Sequence, residues 1–275
     1  MKITVSKGKE KTLRQMKIEE TLKNVVCAAI SIFAFGLLWH FGTREGTMLG
    51  KLIPGPIEVL SYFFRAFTAN VGTYTMVGHI VWSFIRVFIG YVIAMLIGIP
   101  LGVAMGWSKT ANAIARPIFE FVRPIPPIAW IPLSIVWFGI GEGSKYFIIF
   151  LGAFTSMTIN AYAGVSSVDP TLVGAARMLG ANEKQVFANV VMPSAIPSIF
   201  AGLQIALSSS WGVVLAAEMI RSSEGLGWII VTGQSTNNNV QLIAGIIAVG
   251  VVGFLSVVLM RALERRLCSW TERGQ

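Results

Sequence analysis

Six stretches of this chain are long and apolar enough to cross a lipid bilayer, and nothing else in the sequence limits the fold so tightly. About 20 apolar residues span the hydrocarbon as a helix. A helix is the form that satisfies every backbone polar group from within one segment. The stretches fall at about 24–42, 79–106, 125–140, 146–164, 198–219 and 241–262. The second is long enough to tilt. The third is short and starts among Pro124, Pro126, Pro127 and Pro132. These prolines remove backbone donors and restrict the residues before them, so they are assigned a shaping role. Only 13% of the residues are charged, against roughly 25% in soluble domains. The expected fold is therefore an all-α membrane protein with six transmembrane helices. The first stretch is longer than a signal-peptide core and follows a basic segment, so it is expected to stay as a span.

Lysine and arginine orient these spans. With the N-terminus inside, the inner segments hold sixteen: seven in residues 1–23, then Lys109, Arg116, Arg123, Arg177, Lys184, Arg261, Arg265, Arg266 and Arg273. The outer segments hold five, Arg44, Lys51, Arg65, Lys145 and Arg221, and Arg86 lies within a span. The excess places both termini in the cytoplasm. The chain then divides into an N-terminal cytoplasmic tail (1–23), a first span with its outer connection (24–78), and a five-helix core (79–270) with an inner loop at 165–197. Residues Ile57 to Phe67 suit a short amphipathic helix on the membrane surface. Trp39, Trp82, Trp107, Trp130, Trp137, Trp228 and Trp270 lie near span ends, as an aromatic belt requires. The net charge of +9 forms no stripe with interleaved aromatics. It suits lipid headgroups, and nucleic acid is not an expected partner. Cys27 and Cys268 suggest neither a disulfide framework nor a metal site, and no metal is expected.

Within the second span, Gly90, Ala94, Gly98, Gly102 and Gly106 recur every four residues. On a helix this makes one narrow face of small side chains that lets another helix approach closely. Arg86 lies on the same span, and Glu218 lies near the end of the fifth at similar depth. A charge inside a bilayer needs a partner or water. The two carry three readings: a mutual pair, Arg86 facing a cavity, or Arg86 snorkelling to headgroups. His40 and His79 read as interfacial polar residues, and "GEGSK" (141–145) reads as an outer loop. No "GxxxxGK[ST]" phosphate loop occurs, and no nucleophile–base pair marks an enzyme.

The segment "GAARMLGANEKQVFANVVMP" (174–193) breaks the apolar pattern. Asp169 can cap a helix that Pro170 starts, and Gly180 can end it. A helix of about ten residues is too short to be stable alone and must dock on something. The segment resembles the EAA loop of permease subunits of binding-protein-dependent ABC importers: Ala175 and Ala176 match the two alanines, Gly180 the glycine and Pro193 the proline. Gly174 stands where that loop has glutamate. "RPIPPIAWIPLSIVWFGIGEGSK", "AAEMI" and "GLGWII" are similar to permeases of the nitrate, taurine, aliphatic sulfonate and bicarbonate group, taurine permeases above all. The resemblance spans roughly 50–270. Gln204 departs from the arginine more usual in that group.

The resemblance implies a type I ABC importer permease in a bacterial inner membrane, carrying a small anion, taurine or another sulfonate first. It implies a second permease copy, two cytoplasmic ATPase subunits that use ATP and Mg, and a periplasmic or lipid-anchored substrate-binding protein. Loop 165–197 becomes the coupling loop, with Ala175, Ala176, Arg177, Leu179, Gly180 and Pro193 at the ATPase contact. Arg86, Asn160, Gln204, Ser208, Trp211 and Glu218 become candidates for the translocation pathway, with Trp211 either a gate or a space-filler. Nitrate, bicarbonate or an aromatic carboxylate is the alternative cargo. A passive channel or scaffold is the alternative class.

Overall fold

The computed structural model describes residues 7–44, 47, 50, 52–220 and 222–267. Lys51, Arg221, Cys268, Trp270 and Arg273 lie outside the described residues. The chain forms two units, Met1–Tyr62 and Phe63–Gln275.

In the first unit, α1 runs Lys7–Gly42 and contains the apolar window Val25–Gly42. Residues 7–23, expected as a polar tail, are thus helical. The Trp39 indole N–H donates to the Pro54 carbonyl (3.1 Å) and folds the following connection back onto the helix end. The short helix α2 (Pro56–Arg65) crosses the division between units, and Ile57, Leu60 and Phe64 are exposed along it.

The second unit contains α3 (Met76–Trp107), α4 (Lys109–Val122), α5 (Ile131–Phe138), α6 (Glu142–Ser166), α7 (Pro170–Met178), α8 (Glu183–Val186), α9 (Met192–Glu218), α10 (Leu226–Ser235) and α11 (Asn239–Leu267). α6 is the central helix. The small face of α3 lies on one side of it. A Cβ at Gly90 would stand 2.7 Å from Ile149 Cβ, one at Gly102 2.8 Å from Ala161 Cβ, and one at Gly106 2.7 Å from Val165 Cβ. On the other side α9 packs as tightly, Gly202 against Asn160 and Gly152 against Val213. Ala94, Ala153, Ala161, Ala195 and Ala206 are fully buried, so this core is made by close backbone approach more than by large side chains. The Tyr91 hydroxyl donates to the Leu203 carbonyl (3.0 Å) and ties α3 to α9 across it.

Three expectations need correction. The third span is not one helix over 125–140. The chain forms α4, breaks, and continues as a 3₁₀ turn (Pro127–Trp130) and α5, with a bend of 87°. Pro124, Pro126 and Pro127 cause the break by removing donors and pushing their predecessors out of helical geometry. Among the described residues, five helices are long and apolar enough to cross, and this broken pair makes a sixth span if counted as one. The fifth span does not begin at 198: helix runs from Glu183 through a π turn (Phe187–Val191) into α9, and Pro193 and Pro197 lie inside the run. The missing N–H of Pro193 accounts for the shifted ladder just before it. Finally, "GEGSK" is no loop: Gly141 caps α6 and Glu142 begins it.

Candidate functional site

At one end of the second unit, a buried charge cluster gathers the ends of four helices. Arg86 is 0% exposed. A guanidinium has five N–H donors, and here all five are engaged. Nε donates to Glu142 Oε2 (2.7 Å) and Nη2 to Glu142 Oε1 (2.8 Å). Nη1 donates to Glu218 Oε1 (2.9 Å) and to the Glu224 carbonyl (2.9 Å), and Nη2 also donates to Glu224 Oε1 (2.6 Å). Lys145, one turn into α6, donates to Glu142 (2.8 Å). Trp82 lies under the guanidinium at 5.5 Å, a cation–π distance.

Glu218 is buried at the end of α9 and is held by two further groups besides Arg86. The Ser83 hydroxyl lies 2.8 and 2.9 Å from its two oxygens, and the Gly227 N–H donates to Oε2 (2.9 Å). Ser83 Oγ in turn accepts from the Leu226 N–H (2.8 Å). His79 continues the network: Nδ1 accepts from the Gly225 N–H (3.1 Å), Nε2 donates to the Val71 carbonyl (2.8 Å), and the ring stacks on Trp228 at 5.1 Å. The interfacial reading of His79 is therefore wrong: it is fully buried with both ring nitrogens used. Glu224 lies on the turn outside the spans. Burial pushes its carboxyl up, but hydrogen bonds from Ser223 and Arg86 and the charge of Arg86 hold it below the usual carboxylate range. Of the three readings of Arg86, the geometry gives the pair. In this arrangement every guanidinium donor of Arg86 is used within the cluster.

The other notable construction is the corner between α7 and α8. Asp169 caps α7: its Oδ1 accepts from the Thr171 N–H (2.8 Å) and from the Thr171 hydroxyl. The hydroxyl, and then the N–H, hold the Asp169 carboxyl below its ordinary range. At the other end, the Gly180 N–H donates to the Arg177 carbonyl (3.0 Å) and the Ala181 N–H to the Ala176 carbonyl (3.1 Å). This paired closure needs a left-handed residue, and Gly180 has φ +85°. α8 then starts with a reciprocal cap, the Gln185 N–H on Asn182 Oδ1 and the Asn182 N–H on Gln185 Oε1, both 2.9 Å. Arg177 spans the corner to Glu183 through two bonds of 2.9 and 3.0 Å. Met178 and Leu179 stand at its tip, 91% and 89% exposed. Ala175 is exposed, Ala176 half-buried, and Pro193 lies in the first turn of α9. Met178, at an open position of the loop pattern like Arg177 and Leu179, was not among the residues expected at the contact.

The remaining pathway candidates do not converge on one site. Asn160 donates to the Ser156 carbonyl of its own helix (2.8 Å) and packs on Gly202. Gln204 donates to Glu264 Oε2 (2.5 Å), joining α9 to α11. Ser208 is exposed and donates to the Gln204 carbonyl (3.3 Å). Trp211 is 4% exposed and lies against α11, with Cγ 3.7 Å from where a Cβ on Gly253 would stand. Among the described residues, its indole N–H has no hydrogen-bond partner. A cavity of about 330 Å³ between α3, α9 and α11 is lined by Phe84, Phe88, Tyr91, Leu207, Leu259 and other mostly apolar residues; its Ser256 hydroxyl donates to the Val252 carbonyl of its own helix, so the cavity offers little to an anion.

An all-helical unit of spans closed around a small-residue core, with a capped polar corner projecting from it, defines a multi-pass inner-membrane permease. Residues 94–268 match the family described as binding-protein-dependent transport system inner membrane component, and the chain belongs to that family. It is 40% identical over 261 residues to a taurine transport system permease protein of Escherichia coli (strain K12), covering 94% of each chain. It is 32% identical over 271 residues to a nitrate import permease protein of Synechococcus elongatus, covering 95% of this chain and 94% of that one. Among solved structures, an inward-facing methionine ABC transporter shares the fold, with a TM-score of 0.55 and 22% identity over 68% of this chain and 95% of that one. The fold is that of a type I ABC importer permease.

Proposed function

We propose that this chain is the permease subunit of an ATP-driven importer for a small anion, taurine or another sulfonate first. In this reading two copies pair, with termini and the α7–α8 corner in the cytoplasm. A separate ATPase pair, using ATP and Mg, grips each corner, and a binding protein outside delivers substrate. One observation carries the coupling role. Met178 and Leu179, two large apolar side chains, are held nearly naked at the tip of a corner fixed by Asp169, Gly180 and Asn182. A corner fixed by so many caps keeps two apolar side chains in water only where something covers them. The positive-inside count supports the orientation. Taurine leads as cargo because the relative that transports it shares 40% of its residues across nearly the whole chain. Nitrate is the second cargo, on the strength of its relative at 32%.

The test is uptake into proteoliposomes holding this chain with its ATPase and binding protein. ATP-dependent accumulation of labelled taurine, competed by excess sulfonates, is expected. Accumulation of nitrate alone would move the cargo and leave the class. Flux that ignores ATP would replace the importer with a passive channel.

A further inference from the structure

The Arg86 cluster joins parts of the chain that an alternating transporter must either move together or separate. Arg86 and Ser83 belong to α3, Glu142 and Lys145 to α6, Glu218 to α9, and Glu224, Leu226 and Gly227 to the turn and first residues of α10. Drawing any of these ends away strands a buried charge or a buried donor. Below the cluster, the Gly90–Gly106 face leaves no slack between α3 and α6.

The segment Pro127–Phe138 is built the opposite way. Of its side chains only Ser134 is buried, and that hydroxyl donates to the Ile131 carbonyl of its own helix. Val136, Trp137 and Phe138 are more than half exposed. Among the described residues, no hydrogen bond or ion pair joins this segment to another helix; ring contacts of Trp137 and Phe138 with Phe147, at 5.7 and 5.2 Å, are its directional links. Prolines break the chain on one side of it. On the other side, no other described residue comes within 4 Å of where a Cβ on Gly139 (φ +74°) or Gly141 would stand, their chain neighbours aside. A stiff piece between two joints, held to α6 and α9 by apolar packing and ring contacts without a hydrogen bond or ion pair among the described residues, is what a hinge motion needs.

We propose that the Arg86 ends of α3, α6, α9 and α10 move as one rigid block through the transport cycle, and that Pro127–Phe138 is the element that swings against that block. This rests on the importer reading. The test uses the full chain with its ATPase in nanodiscs, Cys27 and Cys268 replaced by alanine. Spin labels are placed at exposed Val77, Met219 and Val136, and labelled chains are diluted with unlabelled ones so that distances within one chain are read. Between the nucleotide-free and ATP-trapped states, the Val77–Met219 distance is expected to hold within the roughly 1–2 Å of packed-helix shifts. The Val77–Val136 distance is expected to change by more. A Val77–Met219 change as large as that of Val77–Val136, or a stationary Val136, overturns the proposal. Arg86→Lys is expected to broaden the Val77–Met219 distribution, and Glu142→Gln serves where the lysine variant does not fold; an unchanged distribution in the variant that folds removes the cluster as the clamp. ATP-driven uptake by the unlabelled complex is measured on the same preparation. Its absence brings down the importer reading, and this proposal with it, whatever the distances show.

Discussion

Arg86→Met removes the cation from a cluster whose carboxylates differ in their access to water. Glu142 keeps 34% of its side chain exposed and Glu224 17%, so both can turn toward solvent. Glu218 keeps 0% and cannot. The loss therefore concentrates on Glu218, left charged and buried with only Ser83 and Gly227 as donors. Breaking one partner out of a buried pair costs about 3–5 kcal/mol, and that is the expected destabilisation. Glu142→Gln and Glu224→Gln, at partly exposed positions, should each cost about 1 kcal/mol or less. The double variant Arg86→Met with Glu218→Met removes the stranded charge, so it should lose less than the sum of its singles, with a coupling of about 0.5–3 kcal/mol. The assay is equilibrium unfolding in mixed detergent–SDS micelles, followed by tryptophan fluorescence. Strict additivity, or an Arg86→Met loss no larger than that of Glu142→Gln, would refute the reasoning.

Gly102→Ala puts a Cβ 2.8 Å from that of Ala161 and should cost about 1–3 kcal/mol by overpacking. Gly212→Ala, where nothing lies within 4 Å, should be neutral or stabilising by up to about 1 kcal/mol; the same unfolding assay compares them. Gly180→Ala forces a Cβ onto φ +85°, at about 1–2 kcal/mol. The amides of residues 180 and 181 should then exchange with solvent about 5- to 30-fold faster, read by hydrogen–deuterium exchange. Glu224 is held below its ordinary range, so its contribution is fully present above the unfolded value of about 4.3 and is lost as pH falls through the lower folded value. Unfolding stability between pH 5 and pH 3 should fall more steeply in the wild type than in Glu224→Gln; equal slopes would remove Glu224 from the network.

What could be read from the sequence was local or periodic. The Gly90–Gly106 face shows itself because its spacing matches the helix repeat and glycine has no other use mid-span. The α7–α8 corner shows itself because Asp169, Pro170 and Gly180 each act within one turn of their own position. Arg86 and Glu218 could be linked because each is conspicuous in an apolar run. Glu142 and Glu224 could not: "GEGSK" and "RSSEG" look like solvated loops, and only the fold brings them under Arg86. The same holds for Gln204 and Glu264, which lie 60 residues apart. The broken third span was half legible. Its prolines marked a break, but composition does not say whether a break bends a helix or merely starts one. The π turn before Pro193 left no periodic trace, so the fifth helix read as starting late.

The measurement that bears most directly on the account is photo-crosslinking from Leu179 in native membranes, with the mass of the product determined intact. The account predicts that Leu179 crosslinks to a cytoplasmic ATPase chain, within an assembly of two copies of this chain and two of the ATPase, while the same label at Ile118 does not. Crosslinks from Leu179 to lipid alone, with no ATPase in the assembly, would contradict it.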